Sequence, residues 1–224
     1  MLRFRVHAVA LVLALALLPG TLKAQAPMQF TLSGFGGALI PAGDLVDELI
    51  SGGVGLLTIG HKTGFTGGGR LAIWPTGKIG IEVEGMIALS DVELVGVAPA
   101  GGFIEEGTFD ANIFLGSLNL VYAAIKPPLD PVSVYISGGI GLVSRSGDAF
   151  DGFEDTSDIA GVLGIGLRYG IAPGFRLRVD AKDYISSFQE KALNEALADL
   201  GGISSQLQND VLITAGVEVF FGAN

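Results

Sequence analysis

The stretch Phe175–Lys182 reads FRLRVDAK, with apolar and charged side chains alternating almost one by one. Phe175, Leu177 and Val179 fall on one parity, and the four charged residues fall on the other. A period of two is typical of a β-strand, because successive side chains of a strand point to opposite sides. The stretch therefore predicts a strand with one apolar face and one ionic face.

The same alternation recurs along the chain. Ile79, Ile81, Val83 and Ile87 share one parity, while Glu82 and Glu84 share the other. From Val211 to Phe221 the pattern repeats around Glu218. We predict eight strands on this basis, at residues 29–40, 66–75, 78–90, 109–124, 132–144, 159–171, 175–187 and 210–221.

The predicted connections alternate between short and long. Tight turns are expected at residues 75–77, 126–131 and 172–174, where proline or glycine can reverse the chain. The long connections carry most of the acidic residues, and they lie at 41–65, 91–108, 145–158 and 188–209. A transmembrane barrel typically has an even number of strands, with short turns on one side and long loops on the other. The predicted fold class is all-β, an eight-stranded antiparallel up-and-down transmembrane β-barrel with short periplasmic turns and long extracellular loops.

The composition agrees with a membrane barrel and excludes several other classes. The chain has 49% hydrophobic but only 16% charged residues, and it lacks cysteine, which excludes disulfides and Cys-ligated zinc. Thirteen Lys and Arg against 23 Asp and Glu give a net charge of −10, so we expect no nucleic-acid partner. The strands of a soluble sandwich or of a lipocalin-like barrel would also alternate between apolar and polar side chains. The high apolar content favours the membrane barrel over both.

The first 24 residues have the pattern of a secretory signal peptide. Arg3 and Arg5 precede an apolar run of 11 residues from Ala8 to Leu18, and a small residue, Ala24, offers a cleavage site. A run of 11 residues is too short to span a bilayer, although a short uncleaved anchor helix is the alternative. We predict residues 1–24 as signal peptide and 25–224 as the barrel domain. Cleavage would remove three positive charges and no acids, taking the net charge from −10 to −13.

Several patches of the chain share a pattern of glycine, aromatic and alternating residues. They are Gly68–Leu71 running into Trp74-Pro75, then Ile79–Gly85, Leu115–Tyr122, Tyr135–Leu142 and Thr214–Phe221. Together they resemble the OmpA/OmpX-type family of small outer-membrane β-barrel domains. The last patch resembles the assembly signal of such barrels, carried by Thr214, Gly216, Val219 and Phe221. The resemblance implies location in the outer membrane of a Gram-negative envelope. It also implies contact with outer-membrane lipids, lipopolysaccharide and the barrel assembly machinery.

If lipid covers the apolar parity, the ionic parity faces the lumen. The predicted lumen charge network, taken as structural, consists of Arg70, Glu82, Glu84, Arg168, Arg176, Arg178, Asp180 and Glu218. We expect Arg70 beside Glu82 and Glu84, and Arg176 or Arg178 beside Glu218. Eight strands enclose a space that side chains can fill, and buried charges must be paired. The sequence therefore predicts a plugged polar lumen, with an ion pathway as the alternative.

The aromatic and loop residues give weaker signals. Trp74, Tyr122, Tyr169, Phe175 and Phe221 fall near the predicted periplasmic strand ends, where an aromatic girdle belongs. Residues 190–200 have the spacing of a short amphipathic helix that would cap the barrel mouth. Five acids crowd the third loop, and we interpret them as a solvated loop with calcium binding as the alternative. They are Asp148, Asp151, Glu154, Asp155 and Asp158.

No catalytic, cofactor or metal site is predicted. His61, which would be the only histidine left after leader cleavage, has no acid beside it in sequence, whereas histidine-dependent catalysis needs one to orient the ring. The predicted function is therefore a non-enzymatic integral outer-membrane protein, with a structural or surface-interaction role and an unknown surface ligand. The alternatives are a narrow porin or uptake channel and, less favoured, a lipid- or peptide-modifying enzyme that uses His61.

Overall fold

The computed structural model describes residues 28–42, 46–50, 55–97, 103–125, 131–148, 157–187 and 207–221. Ten antiparallel strands account for most of these residues. They are β1 (Gln29–Ala42), β2 (Val46–Ile50), β3 (Gly55–His61), β4 (Gly64–Trp74), β5 (Ile79–Val97), β6 (Phe103–Ile125), β7 (Val132–Ser146), β8 (Ser157–Ala172), β9 (Phe175–Ser187) and β10 (Leu207–Phe221). Within the described ranges, no helix is long and apolar enough to cross a membrane.

Eight of these strands close into a barrel. Each of β4 to β9 pairs with the next strand along the chain, and β1 pairs with both β4 and β10. The first and last strands pair from Phe30–Phe221 to Ala42–Asn209, so the sheet has no free edge at the seam. The predicted eight-stranded up-and-down barrel is confirmed. The predicted leader, residues 1–24, lies outside the described residues.

The short turns lie at one end of the barrel. Residues 75–78 join β4 to β5, and Pro173-Gly174 joins β8 to β9. Gly174 has φ of 77°, a left-handed conformation that L side chains rarely adopt and that glycine takes without strain. The proline-glycine pair is therefore what permits a two-residue reversal at this point.

The other end of the barrel carries more strand than the sequence predicts. Residues 41–65 were expected to be a loop, but β2 and β3 form a hairpin there, and β3 pairs with residues Val92–Val97 of β5. Residues 91–97 and 103–108, also expected as loop, continue β5 and β6. We call β2, β3, residues 90–97 and residues 103–111 the external sheet. Its acidic residues look like loop in the sequence, although Asp91-Val92-Glu93-Leu94 still alternates.

The outward face of the barrel is apolar. Ile81, Val179 and Val217 are 49%, 47% and 43% exposed, whereas their sequence neighbours Glu82 and Arg178 are 0% and 1% exposed. Large apolar side chains continue this belt around the barrel, among them Leu32, Phe65, Leu71, Ile73, Val83, Ile87, Phe114, Leu118, Leu120, Ile136, Ile140, Leu142, Ile159, Leu163, Ile165, Leu167 and Ile213. A continuous exposed belt of this kind is stable only against hydrocarbon, so the chain is a transmembrane barrel.

Glycines on the inward face make room for aromatic rings. A Cβ on Gly80 would lie 2.8 Å from Cδ2 of Trp74, and a Cβ on Gly166 would lie 2.1 Å from the Tyr135 hydroxyl oxygen. Outward-facing Gly34 and Gly85 have nothing within 4 Å of that position. The glycine count thus has two origins, and only the inward positions are required by packing.

Candidate functional site

The barrel interior collects the charged parity of the strands. All eight residues of the predicted lumen charge network face inward, and none is more than 8% exposed. Ser117, Asn119, Tyr135, Lys182 and Tyr184 lie among them and are equally enclosed. The alternation predicted which way each side chain points. The partners of each charge follow from the geometry of the closed sheet.

Arg178 is the centre of the network. Its Nη1 and Nη2 donate to the two oxygens of Glu82 at 2.5 and 3.1 Å, which is the bidentate geometry that suits a guanidinium. Its Nε donates to Asp180 at 3.0 Å, and Nη1 reaches Glu218 at 3.3 Å. The three carboxylates come from β5, β9 and β10, so one side chain ties together strands on different sides of the lumen.

Arg70 and Lys182 extend the network from Arg178. Arg70 donates to Glu84, to Asp180 at 2.7 Å and to the Thr214 hydroxyl at 2.8 Å. Lys182 Nζ donates to Glu82 at 3.0 Å and to Glu84 at 2.9 Å. Each of these carboxylates therefore accepts from more than one cation. Shared acceptors of this kind offset part of the cost of burying charge.

The predicted pairs are found only in part. Arg70 bonds Glu84 as expected, but Glu82 is held by Arg178 and Lys182 instead of Arg70. Glu218 does contact Arg178, and it also lies 2.7 Å from Nε of Arg168 on β8. Strands β8 and β10 are not neighbours in the sheet, so this contact crosses the lumen. Sequence spacing predicts neighbours along a hairpin and carries no information on pairs that meet across a barrel.

Arg168 lies against two aromatic rings at the turn end of the lumen. Its Cζ is 4.7 Å from the Trp74 ring centroid and 4.1 Å from the Tyr135 ring centroid. Trp74 was expected in the outward aromatic girdle, and this expectation is wrong, because the residue is 1% exposed and faces the lumen. Trp74 lies four residues after Arg70 in the same unbroken strand, so both side chains point to the same face. This shared parity indicates that Trp74 faces the lumen. Tyr122, Tyr169, Phe175 and Phe221 do face outward.

Above the charge network, the inward side chains become apolar. We call this set the apolar layer, and its members are Phe35, Leu39, Met86, Ala88, Ile113, Leu115, Val143, Ala160, Val162, Tyr184 and Leu212. Leu39, Ile113, Leu115 and Leu212 are at most 1% exposed. The sequence predicts a polar lumen, whereas this part of the lumen is lined with apolar side chains. The missed signal is that both parities are apolar in the strand halves nearest the external sheet.

A second ionic group lies beyond the apolar layer. Arg145 donates to Asp158 at 2.7 Å and to Gln208 at 3.2 Å, and its Nη2 lies 3.5 Å from Asp210. We call these four residues the mouth cluster. Asp158 is predicted in an acidic loop, and Arg145 and Asp210 are not predicted as lumen residues, because each of the three lies at a predicted strand boundary.

Comparisons with known proteins bear on the fold. No protein-family model and no curated protein matches the chain. Among solved structures, OprG from Pseudomonas aeruginosa is similar with a TM-score of 0.55 at 14% identity, over 89% of this chain and 98% of that one. Neisserial surface protein A is similar with a TM-score of 0.53 at 12% identity, over 86% and 97% of the two chains. The fold is that of a small outer-membrane β-barrel. The predicted resemblance to OmpA/OmpX-type barrels is confirmed at the level of the fold.

The predicted assembly signal lies in β10. Thr214 and Gly216 face the lumen, where Thr214 accepts from Arg70 and Gly216 leaves room for Phe35. Val219 faces outward and is half-buried, and Phe221 is the exposed last residue of the strand. Recognition of these residues by an assembly machinery stays a prediction.

The remaining predictions from the sequence concern residues that lie mostly outside the barrel wall. His61 ends β3, where it pairs in register with Val92. Of the five acids considered for calcium, Asp148 is exposed and Asp158 is buried against Arg145, while the other three lie outside the described residues. Among the described residues, no three His, Asp or Glu side chains are grouped to hold a metal. The predicted helix at residues 190–200 also lies outside the described ranges.

Proposed function

We propose that this chain is an integral outer-membrane protein with a sealed lumen and a non-catalytic role at the cell surface. The proposal combines a structural role in the membrane with contacts made by the parts that stand outside it. It includes export by the predicted leader, insertion by the barrel assembly machinery, and contact with outer-membrane lipids and lipopolysaccharide.

The apolar layer is the observation that carries the sealed lumen. Its large members meet from opposite walls and are at most 9% exposed, so side chains occupy the space that a water-filled pore would need. An ion crossing this layer would lose its hydration without a charged partner, which costs several kcal/mol. The charge network below and the mouth cluster above are held in ion pairs of 2.5–3.5 Å, so their charges are occupied by each other.

The external sheet supports the surface role. It extends β5 beyond its last pairing with β4 at Leu89, and β6 beyond its last pairing with β7 at Asn112. Eight residues of strand span about 25 Å, enough to lift this sheet clear of the bilayer. The sequence of its strands contains seven acidic residues and is followed by one basic residue, Lys62; the acids are Asp47, Glu48, Asp91, Glu93, Glu105, Glu106 and Asp110. An acidic surface attracts basic partners, and divalent cations can bridge it to lipid headgroups. It repels anionic polymers.

Single-channel recording in planar bilayers tests the sealed lumen. We expect the refolded chain to insert and to show no stable open level. A variant with Leu39, Leu115 and Leu212 changed to Ala thins the apolar layer, and it should show measurable ion flow. Ile81→Ala, on the lipid-facing side, serves as the matched control and should remain closed. Steady, large conductance by the unmodified chain would establish a channel and overturn the proposal.

A further inference from the structure

One group of buried donors at the turn end of the lumen makes no hydrogen bonds. Arg168 is 0% exposed, and its Nε, Nη1 and Nη2 all lack a hydrogen-bond partner among the described residues. The indole Nε1 of Trp74, whose ring Arg168 contacts, is also without one. Buried polar groups in native proteins are almost always hydrogen-bonded, so this group requires an explanation.

The aromatic residues beside Arg168 cannot satisfy these donors, and the nearby acceptor Glu218 Oε1, which also lacks a hydrogen-bond partner among the described residues, lies 2.7 Å from Nε. Guanidinium and indole groups donate and never accept, so Arg168 and Trp74 cannot serve each other. The Tyr135 hydroxyl is already engaged, since it donates to Asp180 and accepts from Nε of Arg178 at 2.6 Å. An acceptor that takes several hydrogen bonds at once would satisfy these donors.

Charge around the cluster favours an anion over a neutral acceptor. Arg168 pairs in register with Arg178 on the neighbouring strand, and Arg176 lies two residues away on the same inward face. Like charges opposite each other destabilise a sheet. Glu218 is the carboxylate near Arg168, at 2.7 Å from Nε, and it is shared with Arg178 at 3.3 Å. The charge network holds five cations, Arg70, Arg168, Arg176, Arg178 and Lys182, against four carboxylates, Glu82, Glu84, Asp180 and Glu218. A water molecule would satisfy hydrogen bonds here but would leave this excess of positive charge unbalanced.

We propose that a small inorganic anion binds between the Arg168 guanidinium edge and the Trp74 indole N–H. Arg168 Nη1 and Nη2 supply a charged fork, Trp74 supplies one neutral donor, and the aromatic rings enclose the site. Trp74 is the last residue of β4, directly before the turn at residues 75–78, so the anion enters from the turn end. The site is independent of the role assigned to the external sheet.

Fluorescence of Trp74 tests the site directly, because Trp74 is the only tryptophan in the chain. The refolded full barrel is titrated with iodide, a halide that quenches indole on contact, while gluconate keeps the ionic strength constant. We expect quenching that saturates, and chloride should reverse it by competition. Quenching that rises linearly with iodide, or none at all, means that water or nothing occupies the site, and either result overturns the proposal.

Two variants assign the site to Arg168. Arg168→Gln should raise the half-saturating iodide concentration about 10- to 100-fold, the effect expected for losing hydrogen bonds to a charged group. Lys62→Gln removes one positive charge from the exposed outer surface and should leave the titration unchanged. If Arg168→Gln fails to fold by heat-modifiable migration, Arg168→Lys keeps the charge without the fork and should also bind more weakly. Unaltered saturation in a folded Arg168 variant would contradict the assignment.

Discussion

Arg178 shows at the scale of one residue how the lumen is held together. Its guanidinium bonds carboxylates from three strands and is 1% exposed. Changing Arg178 to Ala would leave Glu82 with Lys182 alone and Glu218 with Arg168 alone. Removing one partner of a buried ion pair typically costs about 3–5 kcal/mol, because the remaining charge stays buried. We expect a loss of that size in the free energy of unfolding, measured by urea titration of the refolded barrel.

An exposed ion pair provides the control for Arg178. Lys62 and Glu93 lie 3.4 Å apart with side chains 44% and 38% exposed. Exposed pairs contribute about 0–1 kcal/mol, so Lys62→Ala should have little effect in the same titration. Equal losses from the two variants would show that burial does not decide the strength of the network.

The residue scale also shows what the sequence could predict of the site. The alternation along each strand predicted that all eight charges of the network face the lumen, because the apolar set of alternate residues must face hydrocarbon. It did not predict that Glu82 bonds Arg178 and Lys182, since those strands meet across the barrel and not along a hairpin. Tyr184 and Trp74 were missed as lumen residues, although each shares its parity with a neighbouring charge.

At the scale of the strand, the side of the wall that a glycine faces decides how much stability is lost when a side chain is added there. Gly166 on β8 faces the Tyr135 ring, and a Cβ there would lie 2.1 Å from the hydroxyl oxygen. The ring cannot retreat freely because its hydroxyl bonds Asp180 and Arg178. We expect Gly166→Ala to destabilise the barrel by about 1–3 kcal/mol, the usual cost of overpacking, as measured by urea unfolding.

Gly85 on β5 is the matched position on the lipid side. Nothing lies within 4 Å of a Cβ placed there, so Gly85→Ala should change stability by no more than about 0.5 kcal/mol. Should Gly85→Ala prove as harmful as Gly166→Ala, strand glycines would be needed for backbone reasons and not for packing.

Strand boundaries were predictable where alternation and turn residues coincide. The strand 175–187 matches its prediction, because Pro173-Gly174 sets its start and charges mark its inward face. The upper parts of β5 and β6 were missed because four acids, Asp91, Glu93, Glu105 and Glu106, stand among the apolar residues there. In a strand that stands in water on both sides, the hydrophobic period that marks a membrane strand is weak.

At the scale of the whole molecule, the barrel closes without the external hairpin. β1 pairs directly with β4 from Gln29–Trp74 to Leu39–Gly64, and β2 and β3 are inserted between them in sequence only. We expect replacement of residues 46–61 by a short Gly/Ser linker to preserve the barrel. Unboiled samples should keep their heat-modifiable migration on detergent gels, and the urea midpoint should move little.

The reverse deletion gives the contrast for this experiment. Removing residues 207–221 takes away β10 and with it the pairing partners of both β1 and β9. That variant should lose heat-modifiable migration altogether. Loss of migration in the hairpin replacement as well would mean that β2 and β3 are part of the folding unit.

The seam between β1 and β10 has a consequence for the order of events during biogenesis. Phe30 pairs with Phe221, so the strand synthesised first must wait for the strand synthesised last. Contacts so distant along the chain form slowly, since the loop they close is almost the entire polypeptide. During that interval the two terminal edges stay open to any passing strand. The export proposed above would therefore require an escort that covers both terminal strands until they meet.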